Sequence, residues 1–377
     1  MSLKIKIFFA LLMLTALMFG FAHLFFPEVR YNFERLHIFL FNLCSGGTII
    51  IYFSERKKGL SAKALIFLFL ALCYAGFTFM EIYIPAMIIS IILALIVESV
   101  RIRLFSLLPV QFFKNNEPVS AKFHQASLLC LSCGLIISCG VILNNEYLHF
   151  VSMPKLKLDT FFLGFSFPVS LIAMSVIFSF MKEETGVVFS ALKKTGFWAI
   201  NLGVIIFFIF ILFEKLFLQA IIALILFFAV IMIFYLYYLL ANALQQKFFL
   251  TSGVGFLIVT AVTGIAYIII EFMPTYDHEH LKWLLWLHTF ASLYGWNLCG
   301  LVVICRFDDF PVKLHSLPVI ILHWITMLIF APMGKFYGIF ALLTLICYAS
   351  ILYFILFSKK AGTICRPKSV TKLLFSL

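Results

Sequence analysis

Long apolar runs, broken at short intervals by charge, proline and turn residues, pattern the whole chain. Twelve runs of roughly 18–28 residues cover approximately 5–26, 36–54, 62–80, 82–100, 122–143, 160–181, 194–213, 216–243, 249–273, 283–305, 314–334 and 336–357. Each is close to the ~20 residues that an α-helix needs to cross a hydrocarbon core about 30 Å thick. The pattern predicts an all-α fold: a polytopic membrane bundle of about 12 transmembrane helices, making one integral membrane domain over 1–377. The third and fourth runs are separated least distinctly, with "FMEIYIP" at 79–85 as their candidate turn. The longest stretch outside the runs is 101–121, where Pro109 and "KNNEP" read as loop. No sustained internal repeat is visible.

Charge adds orientation. With the N-terminus in the cytoplasm, 21 of the 28 Lys and Arg residues fall in inner segments. The outer segments hold Arg30, Arg35, Lys155, Lys157, Lys215, Lys282 and Lys335. The positive-inside rule then predicts that both termini, including a basic tail over 358–377, are cytoplasmic. The opening "MSLKIK" resembles a signal peptide, but no small-residue cleavage site follows "MFGFAHLFF", so the first run reads as a retained anchor. A bacterial cytoplasmic (inner) membrane is the expected location. Composition agrees: 64% of residues are hydrophobic, 12% are charged and the mean hydropathy is +1.13. A soluble protein could not cover such a surface. The net charge of +12 does not imply nucleic acid, because the basic residues are dispersed among short loops. The expected surroundings are a lipid bilayer. The nine cysteines lie mostly inside apolar runs and imply no disulfide framework.

Polar groups in hydrocarbon are expensive, so their depth is informative. No Asp or Glu falls near the middle of a run, which argues against a proton- or sodium-coupled carrier. Histidines concentrate towards the outer side: His23, His37 and His288, with His278 and His280 in the preceding loop "PTYDHEHLKW". His323 alone sits near a midplane. A membrane-end histidine is most often an interfacial hydrogen-bonding residue. His37 and His288 carry more, because small residues follow each of them. Gly46 and Gly47 lie about two and a half turns below His37, and Ser292, Gly295 and Gly300 follow His288. Glycines admit either a neighbouring helix or a flat ligand. A neutral imidazole above such a face suits an axial haem ligand, and Arg35 suits its propionates.

The segment "ERLHIFLFNLCSGGTIIIYFSER" resembles the second helix of the haem–copper oxidase superfamily, in particular its nitric-oxide-reductase and high-affinity oxidase branches. "WLHTFASLYGWNLCGLV" resembles the tenth helix of that family. The resemblance covers about 40 residues. It implies low-spin haem ligation by His37 and His288, with a haem b cofactor and a membrane or periplasmic electron-transfer partner. It also matches the family's twelve spans with both termini inside. The sequence departs from the family at the copper site. The sixth run has no histidine, the seventh has no His-His pair, and the tenth has one histidine where the family has His-x-His. The expectation is therefore a copper-free, oxidase-like haem protein. The alternative is a cofactor-free membrane transporter, or a structural membrane protein, for a small molecule or lipid.

Other constellations are less specific. Cys130 and Cys133 lie in apolar surroundings and read as packing. His278 and His280, with Asp277 and Glu279, have metal-ligand chemistry, but adjacent residues rarely converge. Pro168 is expected to kink the sixth run. No Walker, nucleophile-elbow, zinc-protease or Rossmann pattern occurs, so no soluble-type catalytic site is indicated.

Overall fold

Lipid offers no hydrogen bonds, so an apolar chain that crosses it must satisfy its backbone within helices. The structure, a computed structural model, describes residues 1–26, 32–57, 59–153, 155–156, 162–183, 186–244, 246–273 and 277–359. Nearly all of the 358–377 tail and part of the loop before the tenth run thus lie outside the described residues. Among those described there is no β-strand, only an isolated bridge between Met181 and Ala241.

Ten helices are long and apolar enough to cross a membrane. They are α1 (Leu3–Gly20), α2 (Phe33–Glu55), α3 (Ala62–Phe79), α4 (Tyr83–Leu104), α5 (Val119–Leu148), α7 (Gly186–Leu212), α8 (Leu216–Leu240), α9 (Gln246–Glu271), α10 (Leu281–Cys305) and α12 (Gly338–Phe357). Two shorter apolar helices complete the series, α6 (Gly164–Phe180) and α11 (Leu317–Met333). Each predicted run therefore holds a helix. The uncertain turn at 79–85 is real: Glu81 takes a left-handed conformation (φ 60°) between α3 and α4. Side-chain caps open two of the helices. Asn32 accepts the Arg35 amide at 2.9 Å before α2, and Ser61 accepts the Ala64 amide at 3.0 Å before α3.

Burial separates core helices from peripheral ones. In α2 and α10, 83% and 78% of the apolar window is buried within the bundle, against 22% in α7 and in α8. The core is the meeting of α2, α6 and α10, each of which touches the other two. These helices are spaced four apart along the chain. The helix before each packs on it (α1, α5, α9), and the contacts α4 to α5, α8 to α9 and α12 to α1 close the ring.

Small residues bring the core helices together. A Cβ built on Gly134 of α5 would lie 2.6 Å from the Gly164 carbonyl oxygen of α6, so these backbones touch directly. On the other side of α6, a Cβ on Gly300 of α10 would lie 2.9 Å from the Ala173 Cα.

The face that carries the start of α1 also carries the ends of α10 and α12. Arg306, 1% exposed, donates to the Asp309 carboxylate at 2.9 Å and to the carbonyls of Ile355, Leu356, Asp309 and Ser358 at 2.8–3.1 Å. Lys6 of α1 reaches Asp309 at 3.7 Å. Arg306 thus caps the carbonyl end of α12, where a cation is favoured.

Candidate functional site

The core helices are not uniform. π-Helical stretches occupy Phe39–Gly47 in α2, Phe162–Ser166 leading into α6, Ala291–Asn297 in α10 and Thr326–Phe330 in α11, and a fifth, Asn144–Leu148, ends α5 away from the core. A π-turn bonds i to i+5, carries an extra residue and frees main-chain carbonyls; such stretches are frequent at functional sites. Two of the five have a visible cause. Pro168 and Pro332 each follow a π-stretch, and proline has neither the N–H nor the clearance for the i−4 carbonyl that an α-turn requires. Pro168 therefore stands at a junction of helix types, where a simple kink was expected.

Three of these stretches meet at one buried polar contact. Asn42 Nδ2 of α2 donates to Ser166 Oγ of α6 at 2.7 Å. Asn297 Nδ2 of α10 lies 3.4 Å from Asn42 Oδ1 and 3.5 Å from the Ser166 carbonyl. Side chains also take up freed carbonyls. Ser45 donates to the Leu40 carbonyl at 2.9 Å, and His323 Nε2–H of α11 donates to the Tyr294 carbonyl at 2.7 Å. No Asp or Glu is among the buried residues described, so this core is polar and uncharged.

The residues singled out from sequence separate into different environments. His37 is 3% exposed. Its ring lies beside Gly20 of α1, 3.6 Å from where a Cβ would stand, and 6.2 Å from the Tyr294 ring of α10. His288 faces α9: its Nδ1–H donates to the Thr260 carbonyl at 2.9 Å, and the ring packs on Gly264. Residues two apart on an α-helix point about 200° apart. Phe290 is turned to α1, where it stacks on Phe21 at 5.7 Å, and His288 is accordingly on the opposite side of α10. The same geometry separates Arg35 from His37. Arg35 lines a recess with Tyr74, Ser138 and Glu146, away from the imidazole. Gly46 packs on Val169 of α6, and Gly47 on Phe67 of α3 and Leu131 of α5.

The expected facing pair of ligands is thus not assembled. Rings crowd the space beside His37: Phe41 lies 4.6 Å from Tyr294, Tyr348 5.5 Å and Phe290 6.1 Å, centroid to centroid. A macrocycle bound through His37 and His288, with Arg35 on its propionates, does not fit this packing. His278 and His280 begin the helical segment His278–Phe290, but their side chains lie outside the described residues. Among the described residues no group of three His, Cys, Asp or Glu is placed to hold a metal ion.

Sequence reading missed the residues that close the core at the His37 end. Lys335, in the link from α11 to α12, donates to Glu34 at 2.8 Å and lies 5.4 Å over the Trp286 ring. His23 donates to the Lys335 carbonyl at 3.1 Å. Burial draws the Lys335 ammonium below the usual lysine value, while the Glu34 carboxylate pulls it back up. The sequence signal was weak: Lys335 and Glu34 are 301 positions apart.

Comparison with protein-family models, with curated proteins and with solved structures gives no match in any of the three. The oxidase likeness rests on the two quoted segments alone.

Proposed function

We propose that this is a twelve-span protein of a cytoplasmic membrane, with both termini inside, that handles a small uncharged molecule in the core between α2, α6, α10 and α11 without a bound haem. One observation carries the reading: α2, α6 and α10 change to π-geometry where their neutral polar side chains meet. Broken or irregular helices in a membrane core are tolerated where they are buried in protein or line a path. The absence of a buried carboxylate among the described residues favours facilitated movement over ion coupling.

Proteoliposome light scattering tests the reading. Vesicles holding the protein should re-swell faster than empty vesicles when acetamide or glycerol is the external osmolyte. Equal rates for both solutes would remove the transport reading. Topology is tested separately with cysteines at two exposed loop positions, Asn116→Cys and His149→Cys. In intact cells a membrane-impermeant maleimide should label position 149 and not 116. Labelling of both, or of 116 alone, would break the twelve-span orientation.

A further inference from the structure

Three helices place side chains with unpaired polar atoms next to one another in the core. His37 of α2 is 3% exposed, and Tyr294 of α10 and Tyr348 of α12 are fully buried. Among the described residues, both ring nitrogens of His37 and both phenol oxygens have no hydrogen-bond partner. The rings adjoin in series: His37 to Tyr294 at 6.2 Å, and Tyr294 to Tyr348 at 5.5 Å, edge to face. The Tyr237 phenol is likewise buried without a partner, but it stands alone, and other buried ring donors are paired. Tyr74 donates to Ser138 at 3.0 Å, Trp296 to Ser170 at 2.7 Å and Trp324 to Ser252 at 2.7 Å. Buried polar atoms without partners are rare in native proteins, because each carries its full desolvation penalty.

We infer that His37, Tyr294 and Tyr348 form a binding site for a small uncharged molecule that both donates and accepts hydrogen bonds. The chemistry of the three groups sets the class. A neutral imidazole offers one donor and one acceptor, and each phenol offers both. No buried carboxylate among the described residues faces them, and the nearby cation, Lys335, is taken up by Glu34. Close ring spacing limits the ligand to a few heavy atoms. Phe41 and Phe290 wall the site, and Gly20 leaves the α1 backbone bare beside the imidazole. His323 is a positioning residue: it holds the Tyr294 carbonyl that the π-stretch frees. The Lys335–Glu34 pair, with Trp286 and His23, closes the site at its outer end.

The ligand class rests on the solute-handling reading; the site itself does not. The test is a cryo-electron microscopy map of the full chain in lipid nanodiscs, with and without acetamide as the probe. The expected map has a non-protein density within hydrogen-bond distance of a His37 nitrogen and a phenol oxygen, changed by acetamide. Tyr294→Phe and Tyr348→Phe keep the ring packing, so each should fold and lose that density. Direct bonds among the three side chains, or ordered water alone that acetamide leaves unchanged, would overturn the site. Acetamide flux into vesicles separates the two ideas. Flux without the density removes the site and leaves the transport reading, whereas density without flux keeps the site and removes transport.

Discussion

Gly134→Val should leave little folded protein. A Cβ at this position would stand 2.6 Å from the Gly164 carbonyl oxygen, and the obstruction is backbone that has no rotamer to yield. Overpacking a core costs about 1–3 kcal/mol and sometimes more; a backbone clash at a helix crossing belongs at or above the upper end. The α5–α6 contact would have to open, and α6 is one of the three helices at the centre of the bundle. Gly140→Val on the same helix is the control. Nothing lies within 4 Å of its Cβ position, and its effect should stay within about 0.5 kcal/mol. Thermal unfolding of the detergent-purified proteins reads both. Equal midpoints for Gly134→Val and the parent would refute the direct backbone contact.

Arg306→Leu is expected to be nearly as severe. It removes a buried guanidinium that satisfies one carboxylate and four main-chain carbonyls, and so unties the end of α12 from the end of α10. Breaking a buried pair by deleting one partner costs about 3–5 kcal/mol, because the other groups stay buried without donors. Asp309 is 21% exposed and regains some hydration, which places the expected loss near the lower end. Arg306→Lys keeps the charge and loses the fork, so it should fall between Leu and the parent. If Lys and Leu unfold at one temperature, charge at the helix end contributes nothing measurable.

Much of the architecture is legible in the sequence, since the bilayer imposes one length and one polarity on every crossing helix. The apolar runs lie where the helices lie, including the pair around Glu81 that had only a weak turn between them. The details of the core are less legible, for two physical reasons. A π-stretch inserts a residue, and each extra residue rotates everything beyond it by about 100° relative to a regular helix. A face read at 3.6 residues per turn therefore fails past Phe39 in α2 and past Ala291 in α10. The second reason is distance along the chain. Gly134 against Gly164, Asn42 against Asn297 and Glu34 against Lys335 are pairings that no local pattern announces.

The histidines show both effects. His37 stands out in the sequence as a polar group at the start of an apolar run, and the structure buries it with no partner among the described residues. Its pairing with His288 rests, at the level of sequence, on the small residues that follow each histidine, on the two-segment resemblance and on similar depth. Depth says nothing about side, and Phe290 fixes the side: with Phe290 on Phe21, His288 must turn to Thr260. Gly46 and Gly47 serve the packing of α2 on α6, α3 and α5, one of the two roles open for them at the level of sequence.

The central claim is that the rings packed around His37 leave no room there for a macrocycle. A reduced-minus-oxidised optical spectrum of the purified protein, grown with haem precursor supplied, tests it most directly. The account predicts a flat difference spectrum in the visible region, identical for the parent and His37→Ala. A b-type band at one haem per chain, lost in His37→Ala, would contradict it.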